Sequence, residues 1–149
     1  MPVRTSPSPA ANSRILLVDD NANGLSARKS VLEELGHRIV TASSGAEALE
    51  QFSRAKFDLV VTDYKMPRMD GIELIARLRK QAPELLVILI SGFVDALGLN
   101  EESTGADVVI QKSANEVSHL VRSVNRLLRR KKPNASEPAR LLKPKRKSL

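Results

Sequence analysis

Four short apolar runs in this chain each stop on a residue that carries chemistry. Ile15-Leu16-Leu17-Val18 ends in Asp19-Asp20, and residues 58–62 (DLVVT) end in Asp63. Residues 85–90 (LLVILI) end in Ser91-Gly92, and residues 107–111 (DVVIQ) in Lys112. A fifth run is residues 38–42 (RIVTA). Runs this short and this apolar read as strands covered on both faces, which is the habit of a parallel sheet.

Between the runs the apolar period changes to that of a helix. Leu25, Arg28, Val31, Leu32 and Leu35 share one spacing, with Gly36 as a stop. Ser44-Gly-Ala-Glu47 is a capping box that opens a helix through about Arg54. Gly71 to Gln81 is helical by Ile72, Leu74, Ile75 and Leu78, with Pro83 beyond its end. Ser113-Ala-Asn-Glu116 is a second capping box, ahead of a stripe of Val117, Leu120, Val121, Val124, Leu127 and Leu128. Residues 93–104 form the weakest helix, with Gly98 inside and little periodicity. Five strands alternating with five helices predict an α/β fold, a five-stranded parallel doubly wound sheet in a three-layer sandwich. Right-handed crossovers then bring the carboxyl ends of the strands to one rim.

That rim gathers Asp19, Asp20, Asp63, Ser91 and Lys112 from distant parts of the chain. Three carboxylates packed together repel, and a bound cation relieves them. An oxygen-only donor set suits Mg²⁺. One carboxylate beside the metal can attack phosphorus to give an acyl phosphate, while a lysine and a hydroxyl balance the phosphoryl oxygens. Each residue alone has an ordinary reading as a turn former, a loop serine or a solvated cation. Their conjunction at four strand ends does not. His37 and His119 lie away from these ends, and no phosphohistidine role is read for them.

The segments LLVDDN, LVVTDYKMPRMDGIEL, ILISGF and GADVVIQK resemble the four signature segments of bacterial response-regulator receiver domains, over about residues 13–128. The resemblance implies a flavodoxin-like receiver fold and a place in a two-component phosphorelay. It makes Asp63 the phosphoacceptor, with Asp20 and Asp63 as direct Mg²⁺ ligands. Asp19 would act through water, and the Lys65 backbone carbonyl would be a further ligand. Ser91 resembles the switch residue that moves onto the phosphoryl group, and Lys112 the lysine that pairs with it. The implied phosphodonor is a sensor histidine kinase or a small phosphodonor, and the output is contact with an unknown downstream protein. No enzyme activity beyond autocatalytic phosphotransfer is expected.

The chain also departs from that pattern. Ser113 stands where the family usually has Pro, often after a cis bond. A cis bond before Ser would cost roughly 2.5–4 kcal/mol, so a trans bond with Ser113 as helix cap is expected. Val109 stands where the family commonly has Tyr or Phe, so the aromatic rotamer switch is absent. The segment from Ser91 to Lys112 is about one residue shorter than usual, and its helix is expected to be short, irregular or mobile. Lys65 and Phe93, two residues beyond Asp63 and Ser91, flank the path of attacking water, and an apolar Phe93 would exclude it.

Net charge has to be located along the chain before it is interpreted. The chain of 149 residues carries a formal +7. Residues 129–149 hold nine Lys/Arg and one acid, Glu137, which leaves fifteen bases and sixteen acids for residues 1–128. The predicted organisation is a disordered Pro/Ser/Ala-rich leader (1–13), a near-neutral receiver domain (14–128) and a basic flexible tail (129–149). A solvated tail, or one docked on an acidic partner, is favoured over a nucleic-acid role, since no aromatic residue is available there for base stacking. There is no cysteine, which excludes disulfides and thiolate metal sites. No apolar run reaches the roughly 20 residues of a membrane span, so no membrane insertion is expected and the cytoplasm is the default. The reading is a stand-alone receiver or a shortened piece of one, with homodimerisation left open. The alternative is an interaction module that keeps the acidic pocket but is not phosphorylated.

Overall fold

The computed structural model describes residues 12–131. Its strands are β1 (Arg14–Val18), β2 (Arg38–Ala42), β3 (Leu59–Asp63), β4 (Leu86–Ser91) and β5 (Val108–Gln111). All pair in parallel, in the order β2-β1-β3-β4-β5. This is the doubly wound order of a flavodoxin-like sheet, as expected. The order reverses at β1, so the crevice at the carboxyl ends of β1 and β3 is where such a sheet places its site.

The alternation of side chains along each strand builds two separate cores. Ile15, Leu17, Leu59, Val61, Ile88 and Ile90 face one side, where α1 (Ala22–Glu34) and the last helix cover them with Leu32, Leu120, Val124, Leu127 and Leu128. Leu16, Val18, Val60, Val87 and Leu89 face the other, under α2 (Gly45–Arg54) and α3 (Gly71–Gln81) with Ala48, Leu74, Ile75 and Leu78. Each of these Val, Leu and Ile side chains, fully withdrawn from water, contributes about 1.5–3 kcal/mol. These are the three layers of the predicted sandwich.

The weak segment after β4 divides. It forms two single turns, α4 (Val94–Leu97) and α5 (Glu101–Thr104). Gly98 separates them at φ 64°, a left-handed conformation that an L side chain resists. Asn100 caps α5 reciprocally with Ser103, a box that the sequence reading did not include. From α5 the Glu101 carboxylate accepts the Val109 N–H at 3.0 Å, satisfying a donor on edge strand β5. The last helix, α6, runs Glu116–Lys131, so the basic run from Arg129 to Lys131 extends it.

Several expectations change in detail. Asn12 and Ser13, placed in the loose leader, are tied down: Asn12 N–H donates to Gly36, and Ser13 is buried with its carbonyl accepting the Arg38 N–H. The rest of the leader and residues 132–149 of the tail lie outside the described residues. Val117 is 49% exposed and does not join the buried stripe of α6. The capping box of Ser113 with Glu116 does not form. Ser113 Oγ instead accepts the Asn115 N–H at 3.2 Å. The Glu116 carboxylate lies 2.8 Å from Arg28 Nε, because a buried guanidinium attracts it more strongly than a solvated N–H does. At Ser44 half the box forms. Its hydroxyl accepts the Glu47 N–H, but the Glu47 carboxylate reaches one residue further back, to Ser43. No peptide bond among the described residues is cis, so Lys112–Ser113 is trans as expected.

Candidate functional site

β1 delivers Asp19 and Asp20 to the rim, and β3 ends in Asp63. One carboxylate oxygen from each of the three lies within 4.8 Å of the others. Asp19 and Asp63 are buried, while Asp20 is exposed. Around them opens a cleft of about 490 Å³, also lined by Lys65, Phe93 and Lys112. Lys112 follows β5, where its N–H donates to the Ser91 carbonyl at 2.9 Å. Its Nζ stands 2.8 Å from Asp63 Oδ1. The serine after Lys112 therefore does not stop the lysine from reaching the acid.

The loop between β3 and α3 is fixed at both ends. The Tyr64 N–H donates to the Ile90 carbonyl, and the Gly71 N–H returns to the Tyr64 carbonyl at 2.7 Å. Met66 is buried beneath the loop as its anchor. Gly71 starts α3 so close under β3 that a methyl group there would overlap the Asp63 carbonyl oxygen and the Leu89 side chain. The exposed Lys65 ammonium lies 5.3 Å from the centre of the Phe93 ring, and Tyr64 meets the same ring edge-on at 6.5 Å.

Ser91 is buried at the end of β4, and its Oγ accepts the Phe93 N–H at 2.8 Å. It does not line the cleft, so among the predicted side chains the structure gathers Asp19, Asp20, Asp63 and Lys112 and holds Ser91 back in its own turn. His37 precedes β2, at the opposite end of the sheet, and His119 lies on α6.

Electrostatics are uneven across the cleft. Burial pushes the Asp63 carboxyl above the ordinary carboxylate range; the Asp19 charge adds to this, and Lys112 and Arg28 oppose it. Asp19 is held differently. Its Oδ1 accepts the Asn21 N–H at 2.9 Å, and its Oδ2 lies 2.7 Å from Arg28 Nη1. Burial alone would weaken the Arg28 charge, but its bonds to Glu116 and Asp19 outweigh that and raise its pKa. Sequence reasoning placed Arg28 on the buried stripe of α1 without giving it a partner. A single cation on an apolar stripe, one turn after a glycine, was the available signal.

Residues 15–125 match the family model of the response regulator receiver domain. The chain belongs to that family. CpdR, a response regulator receiver protein of Brucella abortus, is 33% identical over 116 residues, covering 77% of this chain and 96% of its own. The Bacillus subtilis regulator PhoP is 35% identical over 121 residues, and the chain spans about half of its length (49%). A receiver domain from Clostridium thermocellum has a TM-score of 0.72 at 31% identity, over 81% of this chain and 98% of that one. The Thermotoga maritima regulator TrrA, solved in complex with Mg²⁺-BeF, has a TM-score of 0.69 at 34% identity, over 77% and 98%. This receiver thus carries the acidic pocket of its family. No helix among its described residues is long and apolar enough to cross a membrane.

The pocket fits a small hard cation. Mg²⁺ takes oxygen ligands at about 2.0–2.1 Å, so opposite ligands stand roughly 4.2 Å apart. Carboxylate oxygens within 4.8 Å of one another need close only slightly around it.

Proposed function

We propose that this receiver accepts a phosphoryl group on Asp63 from a sensor histidine kinase and signals by contact with a downstream protein. The observation that carries this reading is the buried Asp63 carboxylate with Lys112 Nζ at 2.8 Å and two further acids beside it. Asp20 and Asp63 would hold Mg²⁺ directly, with Asp19 acting through water and the Lys65 carbonyl as a further ligand. The cation, when bound, supplies positive charge for the phosphoryl oxygens.

Asp63 is the nucleophile. Its carboxylate oxygen forms a bond to phosphorus as the phosphorus–nitrogen bond of a phosphohistidine breaks, and the departing imidazole keeps that electron pair and is protonated. Lys112, already paired with Asp63, moves its charge onto the new phosphoryl group. Ser91 would give up the Phe93 N–H and turn its hydroxyl towards the same group. Because Val109 has no ring to follow that movement, the output surface of this receiver differs from the usual one.

Mass spectrometry after incubation with acetyl phosphate and Mg²⁺ tests the reading. One added phosphoryl group is expected, absent in Asp63→Asn. No addition, or an addition that survives the substitution, would favour an interaction module that is never phosphorylated.

A further inference from the structure

We infer that Arg28 is a positioning residue that couples the cation pocket to the first turn of α6 through Glu116. The inference rests on the proposal that the pocket takes Mg²⁺. One guanidinium, its side chain 7% exposed, bridges two carboxylates from different elements: Nη1 to Asp19 Oδ2 at 2.7 Å and Nε to Glu116 Oε2 at 2.8 Å. Glu116 is the first residue of α6 and is not among the residues lining the cleft. Asp19 is one of the three clustered acids.

The bridge depends on a gap in α1. A Cβ at Gly24 would stand 2.6 Å from Asp19 Oδ2 and 3.6 Å from Arg28 Nη1, so only glycine leaves room for the two charges to meet. Glu116 is also drawn away from capping its own helix to complete the bridge. Two elements thus give up ordinary local arrangements for one ion triad.

The chemical consequence concerns Asp19. Both of its oxygens are engaged before any cation arrives, one by the Asn21 N–H and one by Arg28. With Mg²⁺ bound, Asp19 would have less negative charge to share with Arg28, and the guanidinium would lean on Glu116 instead. Coupling of this kind is reciprocal: whatever alters Glu116 must alter cation affinity. Removing the Glu116 charge leaves Arg28 to Asp19 alone and weakens Mg²⁺ binding, whereas removing Arg28 strengthens it.

The test is a double-variant cycle read by Mg²⁺ titration of backbone amide shifts in the full chain. Glu116→Gln is expected to weaken Mg²⁺ binding by roughly fivefold, and Arg28→Met to tighten it by a similar factor. In the Arg28→Met background Glu116→Gln is expected to change nothing. If Arg28→Met does not fold, Arg28→Lys takes its place, because an ammonium keeps the charge but cannot fork between two carboxylates. Mg²⁺ is also expected to change amide exchange in the first turn of α6 in the parent and not in these variants.

Equal affinities in all variants would overturn the coupling, as would an effect of Glu116→Gln that persists undiminished without Arg28, since a through-space field would then explain it. If the parent binds no Mg²⁺, the proposed pocket chemistry itself falls, and the coupling with it.

Discussion

Asp63 pays an electrostatic cost for its position. Its carboxyl is pushed up mainly by burial. A carboxyl raised in the folded state favours folding fully below its unfolded value, and that advantage is lost as pH climbs through the folded value. Ionised Asp63 therefore weakens the metal-free fold at neutral pH. Asp63→Asn should melt higher than the parent there, by roughly 3–5 °C for each kcal/mol relieved. The gap should close as pH falls into the ordinary carboxylate range; thermal melts across pH check this, and a gap indifferent to pH would contradict it. Phe93 carries a second prediction at this scale. Its ring is 39% exposed at the cleft, held by Tyr64 and overlain by Lys65. Replacing it with Glu should admit and orient water, speeding loss of phosphate from Asp63 by about tenfold, a barrier change of roughly 1.4 kcal/mol. Following dephosphorylation of Phe93→Glu beside the parent decides the matter, and equal rates would remove Phe93 as a water shield. Asp63, Asp20 and Lys112 are legible in the sequence because they terminate apolar runs. Arg28 was harder to read: helical spacing says that its position faces inward but not which charges wait there.

At the scale of elements, the close seating of α3 under β3 predicts a contrast between two helix-starting glycines. A methyl at position 71 meets backbone, at the Asp63 carbonyl, and the packed Leu89 side chain. Gly71→Ala should cost about 1–3 kcal/mol and displace the phosphoacceptor loop. The nearest atoms that a methyl at position 45 would meet all belong to the Met69 side chain: the thioether sulfur at 2.6 Å can withdraw, and the Cβ and Cγ at 3.0 Å must give by a few tenths of an ångström. Gly45→Ala should stay within about 1 kcal/mol of the parent, helped by the better helix propensity of alanine. Denaturant melts of the two variants would show the order, and a reversed order would mean that the Asp63 carbonyl is not the limiting contact. Strands are readable here because each is a compact apolar run. Their ends are not, since β3 and β4 continue through Asp63 and Ser91 by backbone pairing that hydrophobicity does not register. The fate of residues 93–104 was partly legible: Gly98 announced a break, whereas the Asn100 cap that restarts the chain as a second turn depends on a serine three residues on and resembles ordinary loop composition. Ser113 and Glu116 show the reverse case, a good local signal overruled by a buried partner 88 residues away in sequence.

For the whole molecule, the separation of charge matters more than its sum. Residues 1–128 are nearly neutral, and the surplus lies in 129–149. Any association with DNA should therefore be weak, indifferent to sequence and steeply salt-dependent, and should weaken when residues 133–149, which carry a net +4 of the chain's +7, are removed. Salt titrations of DNA binding with and without those residues check this; a sequence preference that survives their removal would assign the body a role its charge does not suggest. The sheet itself has two borders, β2 and β5. At β5 the Val109 amide is held by a carboxylate from a helix of one turn, a latch with a single tooth. Without that bond the amide would be open to a neighbouring strand, and an open border of this kind is a template for pairing with another chain. The stretch with the least regular structure thus also guards the side on which a second molecule could extend the sheet.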